Sequence, residues 1–339
     1  MRRIRVLAVD DSAFVRKALQ RIFQSDPDIE LVGLACSGRE ALEKVRTLKP
    51  DVITLDVMMP EMDGIETLRA IMDELPTPVL MLSQLTRDGA ELTLKALEMG
   101  AMDFVDKSST GMMDFFDLAK EIIGKVKSIA GGRPLRIATR EAELYRGRTK
   151  GLVDIVAMGA STGGPMALHM ILPKFPHEIS FGLLIVQHMP RGFTAPLAKR
   201  LDATSSIAVR EAEEGDAVEP GTALIAPAGL HMTVRTTGSG YKVRLDIEPM
   251  DEIHRPSVNV LFRSVGERAG GRSIGVLLTG MGSDGARGMG VIKEQGGFTI
   301  AQDEATSAIY GMPRAAAEGG VVDMVLPLTS IAGEVLKRA

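Results

Sequence analysis

The chain of 339 residues has one cysteine and no tryptophan, and only 4% of it is aromatic. A single thiol excludes an internal disulfide and any cysteine-built metal site. Free cysteine is ordinarily buried filler, so Cys36 is expected in the core. No apolar run reaches the roughly 18 residues of a membrane span. The basic start Met1-Arg2-Arg3-Ile4-Arg5 leads into an apolar stretch that stops at Asp10-Asp11, too early for a secretory signal, and a cytoplasmic protein without membrane insertion is expected. A net positive charge is absent as well. The net charge is −4: residues 1–124 carry 15 basic and 22 acidic side chains, residues 125–150 carry eight and two, and residues 151–339 carry 17 and 20. The basic middle segment holds one aromatic, Tyr145, between two acidic regions, so it reads as a linker rather than a nucleic-acid contact. No basic recognition helix is evident, and nucleic acid is not an expected partner.

What is present points to two α/β domains, because the length exceeds what one core usually organises. Short β-branched runs at Ile4 to Val9, Glu30 to Ala35, Val52 to Leu55, Val79 to Leu82 and Met102 to Val105 alternate with helical patterns. Ala41, Leu42, Val45 and Leu48 show the 3.6-residue period of one such helix, which Pro50 ends. Five βα units predict a doubly wound parallel sheet covered on both faces. Gly131-Gly132 and Pro134 open a polar stretch without periodicity. Strands then resume at Val153 to Met158, Gly182 to Gln187, Ile274 to Thr279 and Phe298 to Ala301, giving a second doubly wound sheet, with a β-hairpin excursion over Thr222 to Ile247. The expected division is 1–126, a linker over 127–151, and 152–339. The twenty methionines fall mostly in apolar patterns, which suits core packing.

Parallel α/β sheets bind ligands beyond the carboxyl ends of their strands. In the first domain Asp10 and Asp11, Asp56, Ser83 and Lys107 all fall there. Clustered carboxylates repel unless neutralised, and a hard cation such as Mg²⁺ suits two or three of them. Lys107 and Ser83 would then face a phosphoryl group on Asp56. Taken singly, Asp11 or Ser12 could cap a helix and Asp56 could start a turn. Together with the Asp56-Val57-Met58-Met59-Pro60 run and Asp63-Gly64, the segment from about residue 3 to 126 resembles the receiver domain of two-component response regulators. That resemblance implies a flavodoxin-like fold, Mg²⁺ held by Asp10, Asp11 and Asp56, phosphorylation of Asp56 by a histidine kinase, and Ser83 with Phe104 as a coupled switch pair. Two positions depart from many receivers: Gln84 follows Ser83 in place of a small residue, and Ser108 follows Lys107 in place of proline, which leaves the local phosphate geometry open.

In the second domain Gly159-Ala160-Ser161-Thr162-Gly163-Gly164-Pro165 joins a strand to a helix and matches G-x-S-x-G, a tight turn that exposes a serine hydroxyl beside free backbone N–H groups. Such turns also bind phosphate, but the Lys-Ser/Thr of a Walker loop is missing. Serine needs a base, and of the five histidines His188 closes a buried strand; His169, His177, His231 and His254 read as surface or structurally satisfied. Asp284, in the glycine-rich turn after the Ile274 strand, is the carboxylate that could orient that base. The order Ser, His, Asp differs from the Ser, Asp/Glu, His of α/β-hydrolases, so a Rossmann-like sheet is expected instead.

Gly-Ala-Ser-Thr-Gly-Gly-Pro, Gln-His-Met-Pro, His-Arg-Pro-Ser-Val-Asn-Val-Leu-Phe at 254–262 and Leu-Thr-Gly-Met-Gly-Ser-Asp-Gly resemble the chemotaxis protein-glutamate methylesterases over nearly all of 152–336. The resemblance implies Ser161, His188 and Asp284 as nucleophile, base and orienting acid, with the Met281 N–H, and Thr162 second to it, as oxyanion donors. It also implies methyl-accepting chemoreceptors as substrates, deamidation of receptor glutamines beside demethylation, and no cofactor for the esterase half. Receiver control of the esterase, by inhibition or by activation, is expected from the domain order. The rival readings are a non-enzymatic response regulator and an esterase for small metabolites.

Overall fold

The computed structural model describes residues 2–84, 86–107, 112–132, 152–238 and 240–339. The chain divides into two compact units, Met1–Arg136 and Ile137–Ala339. The first runs β1 (Ile4–Val9), α1 (Ala13–Gln24), β2 (Ile29–Ala35), α2 (Gly38–Leu48), β3 (Val52–Asp56), α3 (Gly64–Glu74), β4 (Val79–Ser83), α4 (Arg87–Glu98), β5 (Asp103–Asp106) and α5 (Met112–Ile129). Its sheet is parallel throughout, in the order β2-β1-β3-β4-β5, which is the flavodoxin-like arrangement. Every residue of β3 and β4 is buried, as strands covered on both faces require. Ser12, Ser37 and Asp63 cap α1, α2 and α3 by accepting backbone N–H groups. The chain reverses between β1 and β3, which opens a crevice at their carboxyl ends.

The second unit continues with β6 (Ile155–Ala160), α6 (Gly164–Ile171), β7 (Gly182–Gln187), α7 (Thr194–Asp202), β8 (Ala208–Glu211), β9 (Thr222–Ile225), β10 (His231–Thr237), β11 (Gly240–Asp246), α8 (Val258–Ala269), β12 (Ser273–Leu277), α9 (Ala286–Glu294), β13 (Phe298–Gln302), α10 (Met312–Glu318), β14 (Met324–Leu326) and α11 (Leu328–Arg338). Seven parallel strands lie in the order β14-β13-β12-β6-β7-β9-β8. Construction starts at β6 and proceeds to β7 on one side and β12 on the other, so the crevice lies at the end of β6. Helix α8 packs Val258, Leu261, Phe262 and Val265 into the core cluster with Leu184, Val186 and Leu277. Burial of a side chain such as Phe262 stabilises by about 1.5–3 kcal/mol.

Several expectations need correction. Cys36 is exposed: it lies one residue past β2, and its N–H donates to Glu40 Oε2 at 2.6 Å in the turn into α2. The strand expected over Val153 to Met158 runs instead from Ile155 to Ala160, because pairing with β7 continues through Ala160 and Gln187. The excursion over Thr222 to Ile247 is only partly a hairpin. Apolar β9 pairs in parallel with both β7 and β8, leaving β10 and β11 as the antiparallel pair. The short edge strands β8 and β14 carried too few residues to stand out. His231, expected in a loop, starts β10 and is fully buried. Helix α5 extends to Ile129, and residues 133–151 of the expected linker lie outside the described residues, as does Ser108. Among the described residues no helix is long and apolar enough to cross a membrane.

Candidate functional site

At the carboxyl end of the first sheet, the carboxylates of Asp10, Asp11 and Asp56 bring one oxygen each within 4.8 Å of one another. Asp10 is completely buried and Asp56 nearly so, while Asp11 is exposed. Lys107 Nζ lies 2.9 Å from Asp10 Oδ2 and 2.8 Å from Asp56 Oδ2. Burial pushes the Asp56 carboxyl above its ordinary range, and the Lys107 ammonium opposes that push without reversing it. An all-oxygen acidic set of this kind matches the donors preferred by Mg²⁺. Ser83 and Phe104 are buried. The hydroxyls of Ser83 and Thr93 lie 2.7 Å apart over the Gly89 carbonyl, so Ser83 is engaged with α4 in this conformation.

In the second unit three strand ends converge. Ser161 and His188 each follow the last paired residues of β6 and β7, Ala160 and Gln187, and the His188 N–H donates to the Ala160 carbonyl at 3.0 Å. The turn after Ser161 requires Gly163 at φ +77°, a conformation that favours glycine. From β12, the Thr279 carbonyl accepts the Ser161 N–H at 3.0 Å, and the Thr279 hydroxyl donates to the Thr162 carbonyl at 3.0 Å. Gly280 must be glycine because an added Cβ would stand 2.8 Å from Ser161 Cβ and would also strike Met312 Sδ. Met281 is half exposed, and among the described residues its backbone N–H makes no hydrogen bond. Thr162 is buried.

His188 Nε2 lies 2.8 Å from Asp284 Oδ2. Asp284 also accepts from the Val258 N–H at 2.7 Å, the Asn259 N–H at 2.9 Å and the Ser257 hydroxyl at 2.9 Å. It therefore caps α8 rather than α9, the helix that follows it. Burial raises its pKa, but the hydrogen bond and charge of His188 and the two backbone donors outweigh that and bring it down to about 2. The carboxylate stays ionised and draws the His188 Nε2–H. Nδ1 of His188 is then the ring atom left to accept a proton. It is buried, and among the described residues it has no hydrogen-bond partner, Ser161 included.

Four residues around this cluster escaped the sequence reading. Gln187 is buried, and its Nε2 donates to the Ser161 and His188 carbonyls at 3.0 Å each, tying the two turns together. A polar residue closing an otherwise apolar strand was the available signal. Ser257 and Asn259 sit in a quoted motif without a role assigned, although Ser and Asn before a helical run indicate a cap. His254 stacks on His188 with ring centroids 4.2 Å apart and 25° between planes. Its outer edge is exposed. Covering of the inner face, then the charge of His188, holds its pKa below the usual imidazole range.

A flavodoxin-like unit with a carboxylate–lysine cluster, preceding an α/β unit that gathers serine, histidine and aspartate at one sheet end, defines a receiver-linked hydrolase. The response regulator receiver domain profile matches residues 6–113 and the CheB methylesterase profile matches residues 156–335. The chain is 48% identical over 344 residues to a protein-glutamate methylesterase/protein-glutamine glutaminase of Pyrococcus abyssi, covering 99% of this chain and 94% of the relative. A protein of the same name from Geobacillus kaustophilus is 46% identical over 345 residues, with 99% of each chain covered. Among solved structures, the Thermotoga maritima CheB methylesterase catalytic domain is 39% identical with a TM-score of 0.54, covering 55% of this chain and 99% of that one. The chain belongs to the CheB methylesterase family of receiver-linked chemotaxis hydrolases.

Proposed function

We propose that the protein hydrolyses glutamate methyl esters on methyl-accepting chemoreceptors, releasing methanol, and deamidates receptor glutamines with the same residues. The observation that carries this reading is the 2.8 Å contact between His188 Nε2 and Asp284 beside Ser161, with His188 Nδ1 unengaged. Ser161 Oγ attacks the side-chain carbonyl as Nδ1 takes its proton, and Asp284 stabilises the resulting imidazolium. The oxyanion accepts the N–H of Met281, with Thr162 as second donor; one such donor is worth about a hundredfold or more in rate. His188 returns its proton to the departing methanol, or to ammonia from glutamine. Water, deprotonated by the same ring, then hydrolyses the acyl-enzyme. The Ser161 to His188 hydrogen bond forms as substrate fills the turn, since catalytic contacts commonly tighten on binding.

In the receiver, Asp10, Asp11 and Asp56 would hold Mg²⁺, which neutralises charge during phosphoryl transfer from a histidine kinase. Asp56 accepts the phosphoryl group, Lys107 pairs with it, and Ser83 with Phe104 responds to it. Phosphorylation regulates the esterase in a cytoplasmic protein organised as a receiver that ends with α5 at Ile129, a linker to residue 151 and a catalytic domain over 152–339; domain order supports this.

Methanol release from methylated receptor, measured with and without a small phosphodonor, tests the reading. The Ser161→Ala protein is expected to release none above background, and the parent rate is expected to change with phosphodonor. Parent-level release by Ser161→Ala would refute the assignment of the nucleophile.

A further inference from the structure

Beside the β10–β11 pair and α8 lies an open groove of about 270 Å³ with no part in the chemistry above. Arg235, Arg244, Arg263 and Arg268 line it against two carboxylates, Glu248 and Glu267. Arg244 is paired with Asp246 at 2.6 Å. Among the described residues, Arg235, Arg263 and Arg268 have no carboxylate within ion-pairing distance. The fold fixes how these guanidinium groups are presented. The Val234 N–H, on the open edge of β10, donates to Ser264 Oγ at 3.2 Å, so α8 is stitched along that edge. Arg263 and Arg268 lie about 7.5 Å apart along the axis of α8 and about 140° apart around it, and both line the groove with Arg235 of β10. Unpaired cations spread along a trough, rather than converged on one point, suit a row of carboxylates more than a single small anion.

One wall of the groove is tied to the hydrolytic cluster through buried side chains, His231 and Ser257. Its wall residue Pro249 offers a carbonyl 3.1 Å from His231 Nε2, and His231 Nδ1 accepts the Ser257 N–H at 3.2 Å. Ser257 in turn donates to Asp284. Five residues after Pro249, His254 stacks on His188. The segment from Pro249 to His254 therefore joins the groove wall to the ring stacked on His188.

We propose that this groove holds an acidic segment of the protein substrate, its carboxylates paired with Arg235, Arg263 and Arg268. The inference rests on the esterase reading for the nature of the substrate: a chain bearing several glutamyl esters becomes a row of carboxylates as it is hydrolysed. The groove would then hold substrate by residues already demethylated while a neighbouring ester reaches Ser161.

The test measures binding and hydrolysis separately on the full chain. A fluorescently labelled, glutamate-rich peptide is titrated with the Ser161→Ala protein and with the same protein carrying Arg263→Glu and Arg268→Glu. The double reversal is expected to raise Kd about tenfold or more and to flatten the dependence on salt. Arg235→Glu and the milder Arg263→Gln/Arg268→Gln pair are expected to give smaller losses in the same direction, which guards against a folding defect in one variant. Kd values within twofold across the set would overturn the proposal. So would displacement of the peptide by inorganic phosphate below the peptide's own Kd, which would mark a small-anion site. With Ser161 intact, KM for methylated receptor is expected to rise in the arginine variants. Methanol release with an unchanged KM would sink the groove and leave the esterase reading standing. Arginine-dependent peptide binding without any methanol release would do the opposite.

Discussion

Asn259 and Asp284 cap each other's helices. Asp284 Oδ1 accepts the Asn259 N–H at 2.9 Å in the first turn of α8. Asn259 Oδ1 accepts the N–H groups of Gly285 at 3.0 Å and Gly288 at 2.9 Å in the first turn of α9. The carboxylate that orients His188 is thus held by a helix N-terminus, and the turn carrying it is held by the same helix's asparagine. Replacing Asn259 by alanine leaves two buried N–H groups without an acceptor, at a cost of about 2–4 kcal/mol. Denaturant melting is expected to show that loss. A fall in kcat beyond the fraction unfolded is expected too, because the Asp284 turn loosens. An Asn259→Ala protein as stable as the parent would show that the reciprocal caps contribute little.

Acid titration gives a separate check on Asp284. Its folded pKa, about 2 against 3.8 for a free aspartate side chain, is depressed, so the folded state favours the ionised form. The resulting stabilisation is present above about pH 4 and is lost as pH falls through 2. It amounts to about 2 kcal/mol. Asp284→Asn removes this contribution and presents an amide to donors that need an acceptor. Its stability deficit is expected to be largest near neutrality and to shrink between pH 4 and 2. A deficit constant over that window would show that the carboxylate's charge is not what the surrounding donors stabilise.

Much of this was legible in the sequence because strands buried on both faces read as plain apolar runs, and polar residues closing them stand out. Asp56 and His188 stand out in that way, and Ser161 by its G-x-S-x-G turn. What escaped depends on contacts between segments distant in the chain. The Asp284 turn precedes α9, and nothing local reveals that its carboxylate reaches back to cap α8. His254 lies in a stretch with no regular period, and only the folded path of residues 247–256 brings its ring onto His188. The role of Gln187 follows from two carbonyls in separate turns. Cys36 was expected in the core only from the usual burial of free cysteine; Ala35 ends β2, and the next position already belongs to an exposed turn.

The closeness of Gly280 to Ser161 predicts a sharp steric effect. An alanine methyl there would stand 2.8 Å from Ser161 Cβ and 3.1 Å from its nitrogen, where the surrounding turns are fixed by the Thr279 and Ile309 hydrogen bonds. Overpacking of this kind costs about 1–3 kcal/mol. Because the displaced atom is the nucleophile's own Cβ, kcat is expected to fall by about a hundredfold. Purified Gly280→Ala protein, confirmed as folded by circular dichroism, is assayed for methanol release. Parent-level kcat would mean that the turn yields freely and that the position of Ser161 is not set by this contact.

The final prediction concerns Lys107, whose ammonium lies between two buried carboxylates at 2.9 and 2.8 Å. Lys107→Met leaves Asp10 and Asp56 facing each other without a cation, a loss of about 3 kcal/mol near neutral pH. The sign of its pH dependence follows from Asp56. Burial already raises that carboxyl's pKa in the folded state, and Lys107 opposes the rise; without the lysine the rise grows. A carboxyl whose folded pKa lies above its unfolded value favours folding at low pH, and that advantage disappears as pH increases through the folded pKa. The melting temperature of Lys107→Met is therefore expected to approach that of the parent near pH 4 and to diverge from it by pH 8. Added Mg²⁺ is expected to recover part of the difference at pH 8, because it supplies positive charge to the same oxygens. A deficit independent of both pH and Mg²⁺ would mean that the lysine contributes through packing of its aliphatic stem, and not by neutralising the acidic cluster.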